Sequence, residues 1–285
     1  VDKYNRRYQL AIQTQDGSTL VIEPPFTMEF DITRNILTSA NVCQIRVLNL
    51  NKRNRNQIRF DISNYGELRG IVLKAGYGEN LPIIFAGNIS QAWSVREGTN
   101  FVSQIECFDG GYALANGTYN QEFIAGTPQM TVINSMVASL PGVTPGVVRN
   151  VSGEIQRGNA YSGNTADLLN QLVPNQFFID NQKANILGDS ECIQGDIANI
   201  SSDAGLLGTP IREQAIIHFD MVFEPRLKIG QLLNLSSVTD DSFNGSYKVI
   251  SIKHRGIISE VVSGDAVTSV GLFKGASALT VVGNG

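Results

Sequence analysis

The chain has 285 residues, 42% of them hydrophobic and 17% charged, and a formal net charge of −4. That length accommodates two domains of ordinary size, and the mild acidity excludes a dedicated nucleic-acid binder, which would carry a basic stripe to displace phosphate counterions. Cys43, Cys107 and Cys192 are odd in number and far apart, which excludes a disulfide framework or a zinc-ligand spacing.

In chain order, residues 8–13 predict a strand that Asp16-Gly17 turns into a second, 19–22, before Pro24-Pro25 interrupts. Phe26, Met28, Phe30 and Ile32 then alternate with Thr27, Glu29, Asp31 and Thr33, so one face of this strand is buried. A strand over 42–49 ends at Leu50 in a basic bend, where Lys52, Arg53, Arg55 and Arg59 read as a solvated turn or short helix. Strands 71–77 and 82–89 follow, then a hairpin of 93–95 with 101–107, turned near Glu97-Gly98. Cys43 and Cys107 lie within this alternation and read as small buried hydrophobes. Strands with turns at regular intervals predict a barrel or sandwich rather than βαβ units.

The pattern changes after Asp109-Gly110-Gly111. Thr127 as N-cap and Pro128 at the first helical position open a helix; Ile133, Met136, Val137 and Leu140 give it one apolar face, and Pro141-Gly142 end it. A second helix spans 165–173, capped by Asn164 and stopped by Pro174. Between them lie loop and short strand, and 177–179 with 185–187 form a hairpin, which completes a small α/β module. Residues 201–210 read as a glycine-rich linker. Alternation returns with Ile217, Phe219, Met221 and Phe223 against Ile216, His218, Asp220 and Val222. Strands at 232–235, 247–254 and 268–272 follow, with Asn244-Gly245 as a tight turn, and the tail from Lys274 reads as a flexible arm.

Catalytic chemistry is hard to place on these residues. A nucleophile needs a neighbouring base, and the two histidines, His218 and His254, both fall within strand alternation and read as structural or solvent-facing. No cofactor motif is present, and no His pairs with Asp or Glu at metal-ligand spacing. Gly76-Tyr77-Gly78 is too short for a phosphate loop. The single tryptophan, Trp93, reads as core packing, with sugar binding as the alternative. Catalytic, cofactor-binding and metal sites are therefore expected to be none. Reduced thiols and the lack of a leader pattern or long apolar run point to synthesis in a cytoplasm, and the start at Val1 reads as a removed initiator methionine or a trimmed start.

A set of motifs carries a resemblance. Residues 30–34 (FDITR), 41–50 (NVCQIRVLNL), 73–77 (LKAGY), 84–89 (IFAGNI) and 107–111 (CFDGG) are followed by 205–210 (GLLGTP), 223–231 (FEPRLKIGQ), 244–249 (NGSYKV) and 254–256 (HRG). Each is weak alone, but in this order they resemble the central baseplate hub protein of contractile-tailed bacteriophages. The hub portion of type VI secretion spike proteins has the same fold. The resemblance spans about residues 8–272 and implies a mainly β fold with an α+β insert. In it two similar β-barrel, tube-like domains are joined by a small α/β module.

The implied boundaries are a first barrel at 1–108, the module at 109–200, a second barrel at 201–273 and the arm at 274–285. The resemblance further implies a non-enzymatic virion protein of the tail baseplate, made in the host cytoplasm. It implies a homotrimer that matches a six-fold tail tube protein to a three-fold central spike protein around a channel for DNA ejection. Tape measure and baseplate wedge proteins are further implied partners, with DNA only in transit and no membrane anchor. A fused spike or lysozyme domain is not expected within these residues. Two other readings stay open on the sequence: a tail-associated peptidoglycan hydrolase and a glycan-binding β-module using Trp93.

Overall fold

A computed structural model describes residues 3–61, 68–149, 151–197, 199–275 and 278–282. The first part contains β1 (Arg6–Gln13), β2 (Thr19–Ile22), β3 (Met28–Asn35), β4 (Asn41–Leu48) and helix α1 (Lys52–Ile58). Next come β5 (Phe60–Asp61), β6 (Gly70–Tyr77), β7 (Ile83–Glu97) and β8 (Asn100–Asp109). The middle part holds α2 (Gly111–Asn116), β9 (Thr118–Phe123), α3 (Gln129–Ala138), β10 (Thr144–Val148) and β11 (Asn159–Asn164). It continues with α4 (Thr165–Leu172), β12 (Phe177–Asp180), β13 (Lys183–Ile186) and β14 (Glu191–Cys192). The last part comprises β15 (Asn199–Ile200), β16 (Leu206–Glu213), β17 (Ile216–Val222), β18 (Leu232–Leu235), β19 (Gly245–Ile258), β20 (Ala266–Phe273) and β21 (Thr280–Val281).

The fold is mainly β, as the alternation requires. Its central feature is a single sheet in the order β16-β17-β20-β19-β3-β4-β8-β7-β6-β1-β2. The two alternating stretches of the sequence are thus spliced edge to edge. Antiparallel pairing of β3 with β19 runs from Met28 opposite Ile258 to Asn35 opposite Ser251. Period-two patterning specifies which face of each strand is buried but not which strand lies beside which, so this splice between distant segments carries no local signal.

Three hydrophobic clusters underlie the sheet and the module. One gathers the inward residues of β1 to β8, with Phe223 and Ile258 from the later part. A second lies among α3, α4 and the β12–β13 hairpin, and a third beneath β17 to β20. Helix α4 forms as its sequence indicates, because Asn164 accepts hydrogen bonds from the free N–H groups of Ala166 and Asp167. For α3, Pro128 rather than Thr127 is the cap residue, and the Thr127 hydroxyl instead donates to the Ile124 carbonyl.

Several expectations need correction. The glycine-rich segment 201–210 is not wholly a linker: from Leu206 it joins edge strand β16, paired to β17 with a bulge between Leu207 and Ile211. Gly208 at φ 65° supplies the left-handed backbone of that bulge. Asn244-Gly245 is not a two-residue hairpin turn. A longer loop with a 3-10 turn at Asp241–Phe243 joins β18 to β19, because Asp240 caps that turn through the Ser242 N–H. Residues 93–95 are not a separate short strand but part of the continuous β7. The tail is not a free arm at Thr280–Val281, which pair in parallel with Glu191–Cys192. Residues 276–277 and 283–285 of the expected arm lie outside the described residues.

Candidate functional surface

Strand pleating sorts the central sheet into two faces. On β3, Met28, Phe30, Ile32 and Arg34 are buried, while Glu29, Asp31, Thr33 and Asn35 point the other way. Register carries that second set across the splice, with Thr33 beside Lys253 and Asp31 beside Arg255. Lys253 stands next to Ser269 on β20, which stands next to Asp220 on β17. In the other direction Glu29 meets Arg46, Arg46 meets Gln104, and Gln104 meets Trp93. A continuous polar face results, built from both halves of the chain.

Two of the three cations on this face are tied down, while Arg255 makes no ion pair among the described residues. Arg46 forms ion pairs with Glu29 at 2.8 Å and Glu97 at 2.7 Å, and Lys253 pairs with Asp31 at 3.1 Å. Glu106, Glu213 and Asp220 add further carboxylates, so acids outnumber the cations Arg46, Lys253 and Arg255. Two hollows mark the surface. One of about 360 Å³ lies under the β16 bulge beside Lys253 and Ser269, and one of about 200 Å³ surrounds Asp31, Arg46 and Glu106. At its far edge β16 exposes Leu207 and Ile211.

Trp93 also belongs to this face, against the expectation of core packing. A bulge between Ile89 and Gln91 inserts one residue into β7. Ile89 and Ala92 therefore both point inward, and Trp93 is turned out, half-buried, opposite Gln104. The two histidines separate as their positions in the alternation suggest. His218 is exposed on the polar face, 4.0 Å from Glu213, while His254 is fully buried on the other side of the sheet. Cys43 and Cys107 are buried directly opposite each other on β4 and β8, and Cys192 is buried elsewhere. Burial raises the Cys43 thiol well above its ordinary value, which makes it unreactive. Among the described residues no group of His, Cys, Asp and Glu is arranged to hold a metal ion, and no helix is long and apolar enough to cross a membrane.

Beneath the polar face lies a buried junction that sequence reasoning missed. Arg34, 2% exposed, occupies an inward position of β3. Its guanidinium reaches Asp180 in the module at 3.4 Å and donates to the Leu227 carbonyl, before β18, at 3.1 Å. One side chain thus connects all three parts of the chain. Nearby, Asn41 donates to the Ile179 carbonyl, and Asp109 accepts from the Gln182 N–H at 2.8 Å. A cavity of about 540 Å³ opens between the module and the loop after β17, with Arg34, Asp180 and Arg226 in its wall.

Titration at this junction has a defined sign. Burial, then the Asp180 charge, raises the Asp109 carboxyl to about 7. Burial, then the Arg34 charge, pushes His254 well below its usual value, so its ring stays neutral, with Nδ1 2.9 Å from the Thr268 hydroxyl. As pH falls from 8 toward 5, folded Asp109 takes up a proton that the unfolded chain does not, which adds stability. Below about pH 6.5 His254 acts oppositely, because only the unfolded chain is protonated there. Asp109→Asn removes the first effect alone. Urea unfolding is expected to show the free-energy difference, wild type minus variant, rising between pH 8 and pH 5; a pH-independent difference would sink this assignment.

The basic residues Lys52, Arg53, Arg55 and Arg59 come together as the short helix α1 and its C-terminal cap. Asn51 caps it by accepting from the Asn54 N–H, Ile58 anchors it in the first cluster, and Arg55 stacks over Phe101 at 3.7 Å.

Comparison with known proteins agrees with this architecture. No curated protein matches the chain in sequence. Among solved structures, the 43 kDa tail protein of prophage MuSo2 from Shewanella oneidensis superposes with a TM-score of 0.61 at 9% identity, covering 93% of this chain and 96% of that one. The tail protein of Neisseria meningitidis MC58 gives 0.60 at 9% identity, covering 95% and 97%. The Escherichia coli c3393 protein, a type VI secretion component similar in structure to the T4 tail proteins gp27 and gp5, gives 0.57 at 6% identity, covering 90% and 75%. At these identities the likeness is one of fold. Sequence supplies the family, since the model of the baseplate hub gp41 family matches residues 8–256. The spliced sheet with its polar face therefore belongs to a phage tail protein, and the chain is a member of the baseplate hub gp41 family.

Proposed function

We propose that three copies of this hub close into a ring that adapts a six-fold tail tube to a three-fold central spike. In this reading the polar face of the central sheet lines an axial channel through which DNA leaves the virion. The role is structural, without catalysis. The observation that carries it is the face itself: a broad polar surface from both halves of the chain, richer in carboxylates than in cations, with Arg46 and Lys253 held in ion pairs. Such a wall gives phosphates little to grip, whereas several free cations would retain DNA.

The first and third hydrophobic clusters supply two sheet-backed lobes per chain, so three chains would present six around the axis. Rotational closure limits such an assembly to a ring. The domain division at 1–108, 109–200 and 201–273 is part of the proposal, with Phe223 and Ile258 packing across it into the first cluster and Phe178 and Leu187 into the third. The spike as partner is supported by the fold's likeness to the Francisella PdpA-VgrG complex, TM-score 0.55 at 8% identity. Light scattering of the hub with its spike is expected to find a species containing three 30.9 kDa chains, and images of it a central hole. A hub that stays monomeric with the spike present would refute the ring.

A further inference from the structure

Among the described residues, positive charge is mostly paired on the polar face, Arg255 excepted, and unpaired on helix α1. On the face, Arg46 and Lys253 lie against carboxylates. On α1 and its cap, Lys52, Arg53 and Arg59 are exposed, and no ion pair is made by any of them among the described residues. Arg55 is half-buried over the Phe101 ring, and its Nη1 is buried without a hydrogen-bond partner. Like charges crowded on one short helix repel, and removing one of them from water adds to that cost. The fold does not require these cations, since Ile58 and the Asn51 cap fix the helix.

The position of α1 indicates what meets it. Phe101, under Arg55, belongs to the set of β8 that continues through the buried Ser103, Ile105 and Cys107. Gln104 and Glu106 point to the polar face instead. Helix α1 therefore lies on the side of the sheet away from that face, where DNA in a channel would not reach it.

We propose that α1 is a docking surface for an acidic, folded tail protein packed against the outer side of the hub. Its outward placement rests on the channel reading. Partner carboxylates would pair with Lys52, Arg53 and Arg59 and offset the charge already desolvated at Arg55. A basic cluster that reads as merely solvated in the sequence thus acquires a partner.

The test uses purified tails carrying this chain and a carbodiimide, which joins an amine directly to a touching carboxylate. Lys52 is expected to couple to Asp or Glu of a different tail polypeptide. The variant Lys52→Glu/Arg53→Glu/Arg59→Glu is expected to reduce retention of that polypeptide at least tenfold, leaving the hub's own oligomer unchanged by light scattering. Lys52→Arg/Arg53→Lys/Arg59→Lys should behave as wild type. The proposal is overturned if Lys52 couples only to another copy of this chain, couples to nothing, or if the reversal leaves retention unchanged. Loss of the hub's own oligomer on reversal would also overturn it, by placing α1 between copies. A wild-type hub that never oligomerises removes the ring, while the cross-linked partner still decides the role of α1.

Discussion

Replacing Glu29, Asp31 and Glu106 by lysine is expected to turn the hub from a protein indifferent to DNA into one that holds it. The three changes invert much of the charge on the polar face, release Lys253 from Asp31 and leave Arg46 with Glu97 as its one remaining carboxylate. Each copy then offers several free cations on one surface. Neutralising several phosphates gives non-specific affinities on the order of micromolar that weaken steeply with salt. Fluorescence anisotropy with a duplex oligonucleotide at 50 mM and 200 mM salt would read this out. Wild type should show negligible binding, and the variant at least 100-fold tighter binding at the lower salt. Virions carrying the variant should eject DNA more slowly. Equal DNA affinity in the two proteins would remove the polar face as the channel wall. The corresponding glutamine variants separate loss of pairing from gain of charge.

The second large effect lies at the junction. Arg34→Met should cost about 3 kcal/mol, because it leaves Asp180 and the Leu227 carbonyl without their shared donor in a largely buried place. For a chain of this size that corresponds to a fall in melting temperature of roughly 6–12 °C. Arg34→Met/Asp180→Asn should recover part of the loss, since the uncompensated carboxylate disappears with it. A thermal melt of Arg34→Met within about 1 °C of wild type would show that the three parts of the chain are held together elsewhere.

Much of the fold is legible in the sequence because its signals are local. Alternation along β3, β4 and β17 marks buried faces, Asn164 announces α4, and the β12–β13 hairpin sets two apolar strands on either side of a polar turn. Long-range decisions are less visible. Pairing of β3 with β19 joins residues more than two hundred positions apart, and nothing in either strand names the other. The bulge in β7 depends on one extra residue and that in β16 on two, so simple periodicity misplaces Trp93, and glycine richness makes the segment around Gly208 read as a linker. The polar face follows from the alternation, but its ion pairs depend on which strands become neighbours.

Arg34 did leave a trace. It continues the inward series Phe26, Met28, Phe30, Ile32, and a charged residue in such a series signals a buried partner even when that partner cannot be named. Helix α1 left one as well, in the crowding of Lys52, Arg53, Arg55 and Arg59. What the sequence does not reveal is that these cations find no carboxylate among the described residues while Arg46 and Lys253 on the polar face do. That contrast depends on the assembled sheet.

The bulge in β7 equips the hub with an optical tag. All indole emission from this chain arises at Trp93, since it contains one tryptophan. That ring sits half-buried on the polar face opposite Gln104. Its colour and quenching would follow the wetting of that face and so report on the proposed ring, spike and DNA contacts, with no label attached. A single inserted residue thus makes the protein its own spectroscopic reporter.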